Sequence, residues 1–85
     1  MGVKLMNIKP IGSNQTLLTT NHGDEVLYSY ETPVAGYSRA LSVHYKTSTH
    51  YSVTTTKHID KYLKGVEHVM TFSPEDIERL FLEGI

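Results

Sequence analysis

The chain contains no cysteine and no tryptophan, and only three prolines and two phenylalanines among 85 residues. Without cysteine there is no disulfide framework and no thiolate metal site. Hydrophobic residues make up 39% and charged residues 20%, so serine and threonine supply much of the polarity. That balance favours strands and turns over long helices. No apolar run approaches the roughly 20 residues that cross a bilayer. Met1 to Asn7 carries one lysine and a few apolar residues before Pro10, too short for the core of a signal peptide. The expectation is one domain over residues 1–85, without membrane contact, acting in the cytoplasm. Its stability should be modest, because a chain this small buries only about three-fifths to two-thirds of its unfolded surface.

The net charge of −1 conceals a segregation. Asp24, Glu25 and Glu31 make the early part acidic, and Glu75, Asp76, Glu78 and Glu83 do the same at the end. Between them, Arg39, Lys46, Lys57, Lys61 and Lys64 face Asp60 alone, with His44, His50 and His58 interspersed. The overall balance argues against dominant non-specific DNA binding but leaves room for a local basic face.

The pattern along the chain predicts an α+β fold: a small, curled antiparallel meander of four to six strands, with two short helices in the C-terminal third. Val3 to Ile8 reads as a strand, Pro10 to Asn14 as a turn, and Gln15 to Thr20 as a second strand. Asn21 to Asp24 is a turn signal. Glu25 to Tyr30 follows as a strand with Val26, Tyr28 and Tyr30 on one face, and Pro33 marks an edge, a bulge or a bend. Leu41, Val43 and Tyr45 alternate, as do Tyr51, Val53 and Thr55. A three-residue loop at Thr47-Ser48-Thr49 would pair Tyr45 with Tyr51 and Val43 with Val53. A similar loop at Ser38-Arg39-Ala40 would pair Tyr37 with Leu41 and Ala35 with Val43. The outer face would then carry Ser42, His44, Lys46, His50, Ser52 and Thr54.

Thr56 is the expected N-cap of a helix running to about Lys64 and stopped by Gly65. Ile59, Tyr62, Leu63 and Val66 fall on one side of it, and Lys57, Lys61 and Lys64 on the other. Val66 to Phe72 reads as a short strand. Ser73-Pro74-Glu75-Asp76 starts the second helix: a serine cap, proline in the first turn, and acids at the positive end of the dipole. Ile77, Leu80 and Phe81 form its apolar stripe.

The chemistry-bearing stretch is Tyr51 to Leu63. Helix-start N–H groups, the hydroxyls of Thr54, Thr55 and Thr56, and Lys57 could hold an anion, or the threonines could cap their own helix. His58 could pack as a structural histidine against Tyr62 or act at a site; Ser52 and Asp60 near it in sequence do not make a triad. The histidines lack the i, i+4 spacing of a helical zinc site, so no metal and no cofactor is expected. Six tyrosines beside lysines suit either stacking of single-stranded nucleic acid or a protein partner.

Three phrases, Ile8 to Thr16, Val26 to Ala35 and Tyr51 to Leu63, together resemble a family of small uncharacterised proteins of bacteriophages and prophages. The resemblance falls on a Ser-Tyr-x-Thr-x-Val-Ala strand and a Tyr/Trp-Ser-x-Thr-Thr-x-x-His junction. Here these are Ser29, Tyr30, Thr32, Val34 and Ala35, then Ser52, Thr54, Thr55 and His58. Asp60 and Tyr62 depart from the asparagine and tryptophan commoner in that pattern. The resemblance implies an accessory protein inside a bacterial host cell, a monomer or small homo-oligomer. Its partner would be a host or phage protein, a defence complex among them, with nucleic acid the alternative. The expected binding set is Ser52, Thr54, Thr55, Lys57 and His58, extended by Lys61, Lys64, Lys46 and His44; no catalytic residue is assigned.

Overall fold

Short connections between β-compatible segments leave little choice but to pair neighbours antiparallel, and the first five strands do so in chain order. In the computed structural model, which describes the backbone of residues 6–20 and 23–84, these are β1 (Met6–Gly12), β2 (Gln15–Thr20), β3 (Glu25–Ser29), β4 (Thr32–Ser38) and β5 (Val43–Thr47). The chain then crosses over through α1 (Val53–Tyr62) to β6 (Val69–Phe72), which joins β5 in parallel, and ends in α2 (Pro74–Gly84). The result is an open six-stranded sheet in the order β1-β2-β3-β4-β5-β6, antiparallel except at its last edge. The expected α+β class and two late helices are thus observed. The side chains of residues 6, 7 and 80–84 lie outside the described set, and so do Asn21, His22 and the first five residues. The start of the expected first strand, part of the Asn21 to Asp24 turn, and the Leu80 and Phe81 stripe therefore fall there.

The strand β1 runs through Pro10 rather than stopping before it. As an edge strand it can spare the N–H that proline lacks, and a bulge between Pro10 and Gly12 absorbs the misfit. The turn narrows to Ser13 and Asn14, with Asn14 left-handed at φ 60°. Pro33 sits opposite a second irregularity, between Leu27 and Tyr28. Tyr30 does not continue β3 beside Val26 and Tyr28. It turns the chain into β4 at φ 59°, a conformation unusual for a bulky side chain, and its N–H donates to Asn14 O at 2.7 Å.

Both expected hairpin registers after β4 are wrong. The β4–β5 pairing places Ser38 opposite Val43, Tyr37 opposite His44 and Ala35 opposite Lys46, three residues away from the expected register. Ser38 Oγ accepts from Leu41 N–H and Asp24 Oδ1 accepts from Arg39 N–H at 2.7 Å, so the loop is four residues long and tied down by side chains. An odd shift exchanges faces, which leaves Leu41 half-exposed in the loop instead of in the core. Tyr51 to Thr55 forms no strand and never meets β5; β6 takes that place. Tyr51 is exposed, not core. Ser52, with extended backbone, is the helix cap, its Oγ accepting from Thr55 N–H at 3.1 Å. Thr56, four residues further on, turns its hydroxyl back to Ser52 O at 3.0 Å.

The helix α1 ends at Tyr62, with Leu63 as C-cap, and Gly65 adopts φ +85° two residues beyond, a conformation that favours glycine. At α2 the expected start holds: Asp76 N–H donates to Ser73 Oγ at 3.2 Å, and Ile77 is fully buried. The core gathers Leu27, Val34, Ala35 and Ile59, with Ile11, Leu17, Tyr62 and Leu63 packed around them. Burying a side chain such as Leu27 or Ile59 contributes about 1.5–3 kcal/mol. The helix α1 is thereby fixed over β3 and β4.

Candidate functional site

With Ser52 as cap, Thr55, His58, Ile59 and Tyr62 fall at the i, i+3, i+4, i+7 spacing of one helical stripe. That stripe faces the sheet: Thr55, His58 and Ile59 are buried and Tyr62 is half-buried. Two of its four members are polar, so the sheet must answer them. Ser29, the last residue of β3 and 2% exposed, does so. Its Oγ lies 2.9 Å from Thr55 Oγ1 and 2.8 Å from His58 Nδ1. No buried side-chain nitrogen or oxygen among the described residues lacks a partner.

The hydrogens of this chain fit best in one direction. If Thr55 donates to Ser29 and Ser29 donates to Nδ1 of a neutral His58, both hydroxyl hydrogens are used and the imidazole keeps its own at Nε2. The reverse direction would strand the Thr55 hydrogen. The rings of Tyr30 and His58 approach each other tilted by 41°, with centroids 6.1 Å apart. Ser29 and His58 have the side chains of a nucleophile and its base, but Ser29 is enclosed and its second partner is a hydroxyl. Asp60 is exposed and takes no part in the chain. The arrangement is built to hold β3 to α1.

One turn further along α1, Tyr62 donates to Glu25 Oε1 at 2.6 Å. Burial, reinforced by that bond and by the Glu25 charge, raises the Tyr62 phenol well above its ordinary range. Tyr45 donates to Glu25 O at 3.2 Å, and its phenol is raised too, chiefly by burial and then by the Asp24 charge. Tyr37, His44 and Tyr62 continue as an aromatic row, with centroids 4.8 Å and 6.0 Å apart. His44 was expected on an outer face with Lys46; it is instead half-buried between two tyrosines, while Lys46 stays exposed.

The expected binding set therefore divides. Thr55 and His58 are interior, and Ser52 is engaged as the cap. Thr54, Lys57, Lys61 and Lys64 are exposed, Lys57 and Lys61 on the solvent side of α1 together with Val53, and Lys64 in the turn beyond its C-cap. The imagined anion cradle is largely spent, since Thr55 Oγ1 bonds Ser29 and Thr56 Oγ1 bonds Ser52 O, with His50 Nδ1 at 3.3 Å. Among the described residues no group of histidine and acidic side chains could hold a metal ion, and no helix is long and apolar enough to cross a membrane.

The sequence pattern of a family of unknown function (DUF8033) matches residues 6–79, from β1 into α2. The chain belongs to that family. No curated protein and no solved structure matches it. The DUF8033 match spans all six strands and α1, so it covers every residue of the Ser29–Thr55–His58 chain. Sequence reading placed Ser29 and Tyr30 within the resemblance but outside the site. The signal that joins them to His58 is the helical stripe, legible only once the cap is moved to Ser52.

Proposed function

We propose that this protein is a small phage-encoded accessory protein, a non-enzymatic binding module that modulates a macromolecular complex of the host or phage, such as a defence system. Its working place would be the host cytoplasm. The observation that carries this reading is the surface around the start of α1. Tyr51 (43% exposed) and Val53 (66%) flank the Ser52 cap there, and Tyr30 (51%) approaches α1 through its ring contact with His58. Large exposed apolar and aromatic side chains on a rigid support suit a protein partner. Tyr30 is held in a left-handed conformation that costs a non-glycine residue roughly 1–2 kcal/mol. Strain of that kind gathers at functional positions. The phage setting rests on the resemblance of the Ser29 to Ala35 and Ser52 to His58 phrases.

The test is affinity capture from infected-cell lysate with the native chain and with Tyr30→Ser and Val53→Glu. A partner recovered by the native chain and lost with either variant, while the fold persists, supports the reading. Repeated capture that recovers no specific protein counts against it.

A second reading draws on the lysines exposed on α1 and just beyond it: weak binding of nucleic acid through Lys57, Lys61 and Lys64, with Lys46. It requires an affinity that falls steeply with salt, by roughly 0.7–0.9 in log–log slope per phosphate contacted. Unchanged binding after Lys57→Glu with Lys61→Glu removes it.

A further inference from the structure

The two edges of the sheet are finished differently. At one end, β1 carries exposed Lys9 and Pro10 and a bulge, three devices that discourage another strand from adding. At the other, β6 is Val-Met-Thr-Phe, with no charge and no proline, and β5 is the one strand paired with it among the described residues. Its parallel pairing with β5 runs without a register shift.

The direction of its backbone groups can be read from one bond. Ser48 N–H donates to Phe72 O at 2.8 Å, so Phe72 turns its peptide groups toward β5. Along a strand these groups alternate sides by residue. Met70 therefore also faces β5, and Val69 and Thr71 present their N–H and C=O groups outward. Two outward residues separated by one inward residue form a self-complementary unit. If a second β6 approaches antiparallel, Val69 of each copy lies opposite Thr71 of the other, and Met70 lies on the dyad opposite itself. Each Val69–Thr71 pair exchanges two hydrogen bonds, so the contact has about four. No like charges oppose each other across it, and Met70, 46% exposed, covers its own symmetry mate.

We propose that β6 is a self-association edge, through which two copies join antiparallel about a dyad at Met70 into one continuous sheet. The contact is isologous and closes after two copies. It involves neither Tyr30, Val53 nor the α1 lysines, so it stands independently of the proposed partner surface.

Disulfide trapping tests the register directly, because the native chain has no cysteine. Across a non-hydrogen-bonded antiparallel pair the Cα atoms are about 4.5 Å apart, within the reach of a disulfide. Met70→Cys should cross-link to a covalent dimer under mild oxidation. Thr71→Cys, opposed by Val69 rather than by itself, should cross-link at least ten-fold more slowly. Sedimentation equilibrium of the native chain should show a concentration-dependent rise toward twice the monomer mass. Met70→Lys, which sets like charges on the dyad while sparing the β5 bonds, should abolish that rise, and Ile8→Lys on the β1 edge should leave it. Equal trapping at positions 70 and 71, a native chain that remains monomeric to millimolar concentration, or loss of the dimer on Ile8→Lys would each overturn the proposal.

Discussion

Ser29→Ala tests whether the hydroxyl–imidazole chain is a fold fastener. The substitution removes one oxygen from a position that is 2% exposed and orphans two groups, Thr55 Oγ1 and His58 Nδ1, each bonded to it at under 3 Å. A buried polar group left without a partner costs about 1–3 kcal/mol, and the space vacated by one hydroxyl is too small for water to repair both. The expected loss is about 2–3 kcal/mol. For a domain whose whole stability is on the order of 4–13 kcal/mol that is a large fraction, equivalent to a fall of roughly 10–20 °C in Tm. Urea denaturation monitored by far-UV circular dichroism gives the number, with an unchanged slope showing that the folded state still forms. Thr55→Val should cost less, about 1 kcal/mol, because Ser29 keeps its bond to His58. The double variant should cost about 1 kcal/mol less than the two added together, since only His58 is then orphaned. In the native chain, long-range proton–nitrogen correlations should show His58 with its hydrogen on Nε2. A Ser29→Ala loss under about 0.5 kcal/mol, or additivity within about 0.3 kcal/mol, would refute the fastening role.

The remaining predictions concern the elements that present α1. Ser52→Ala removes the cap and should cost about 1 kcal/mol in chemical denaturation, more than Thr56→Ala; the reverse order would return the cap to Thr56. Gly36→Ala adds a Cβ against Glu25 O and the Tyr45 ring in a buried strand, and should cost about 3 kcal/mol or prevent folding; near-native stability would contradict the packing. The phenols of Tyr28, Tyr45 and Tyr62 are all raised above 10.0, chiefly by burial. Each holds its proton more tightly folded than unfolded, so their contribution is complete below pH 10 and drains as pH climbs beyond it. Tyr62→Phe should flatten that alkaline decline and lower stability at neutral pH by about 1–2 kcal/mol through loss of the Glu25 bond; an unaltered alkaline profile would exclude Tyr62 as a contributor.

The parts of the fold legible in the sequence are those set by local chemistry. Gln15 to Thr20 and the Ser73-Pro74-Glu75-Asp76 start of α2 need no tertiary information. The same holds for the division of α1 into an Ile59–Tyr62 side and a Lys57–Lys61 side, although Lys64, expected on the latter, lies in the turn beyond the helix. The errors lie where two local rules compete. Tyr51 to Thr55 alternates like a strand, yet one Ser52 cap and the pull of Ile59 toward Leu27 and Ala35 make Val53 to Thr55 the first turn of a helix. A strand in that segment has to pair with β5, which leaves no place for the crossover to a parallel β6. The β4–β5 register failed for a different reason: Asp24, distant in sequence, bonds the backbone of Arg39 and holds a four-residue loop where strand pattern alone allows three.

For the site, the residues of the two expected motifs separate by burial. Ser29, Val34, Ala35, Thr55 and His58 are all interior. They meet at one seam, where β3 and β4 receive α1, and the three polar ones satisfy one another. In this chain the Ser29–Ala35 and Ser52–His58 phrases are therefore accounted for in large part by the β3–β4–α1 seam. A pattern explained by the interior cannot also serve as evidence for a ligand at His58. Ser52 is the cap of α1, and Thr32 is half-buried at the start of β4; the remaining two members are exposed. Tyr30 is exposed and strained, and Thr54 is exposed in the first turn of α1. If the pattern encodes recognition as well as folding, these two positions carry it. Tyr30 carries more, because a turn of two residues would be cheaper with glycine or asparagine in its left-handed place.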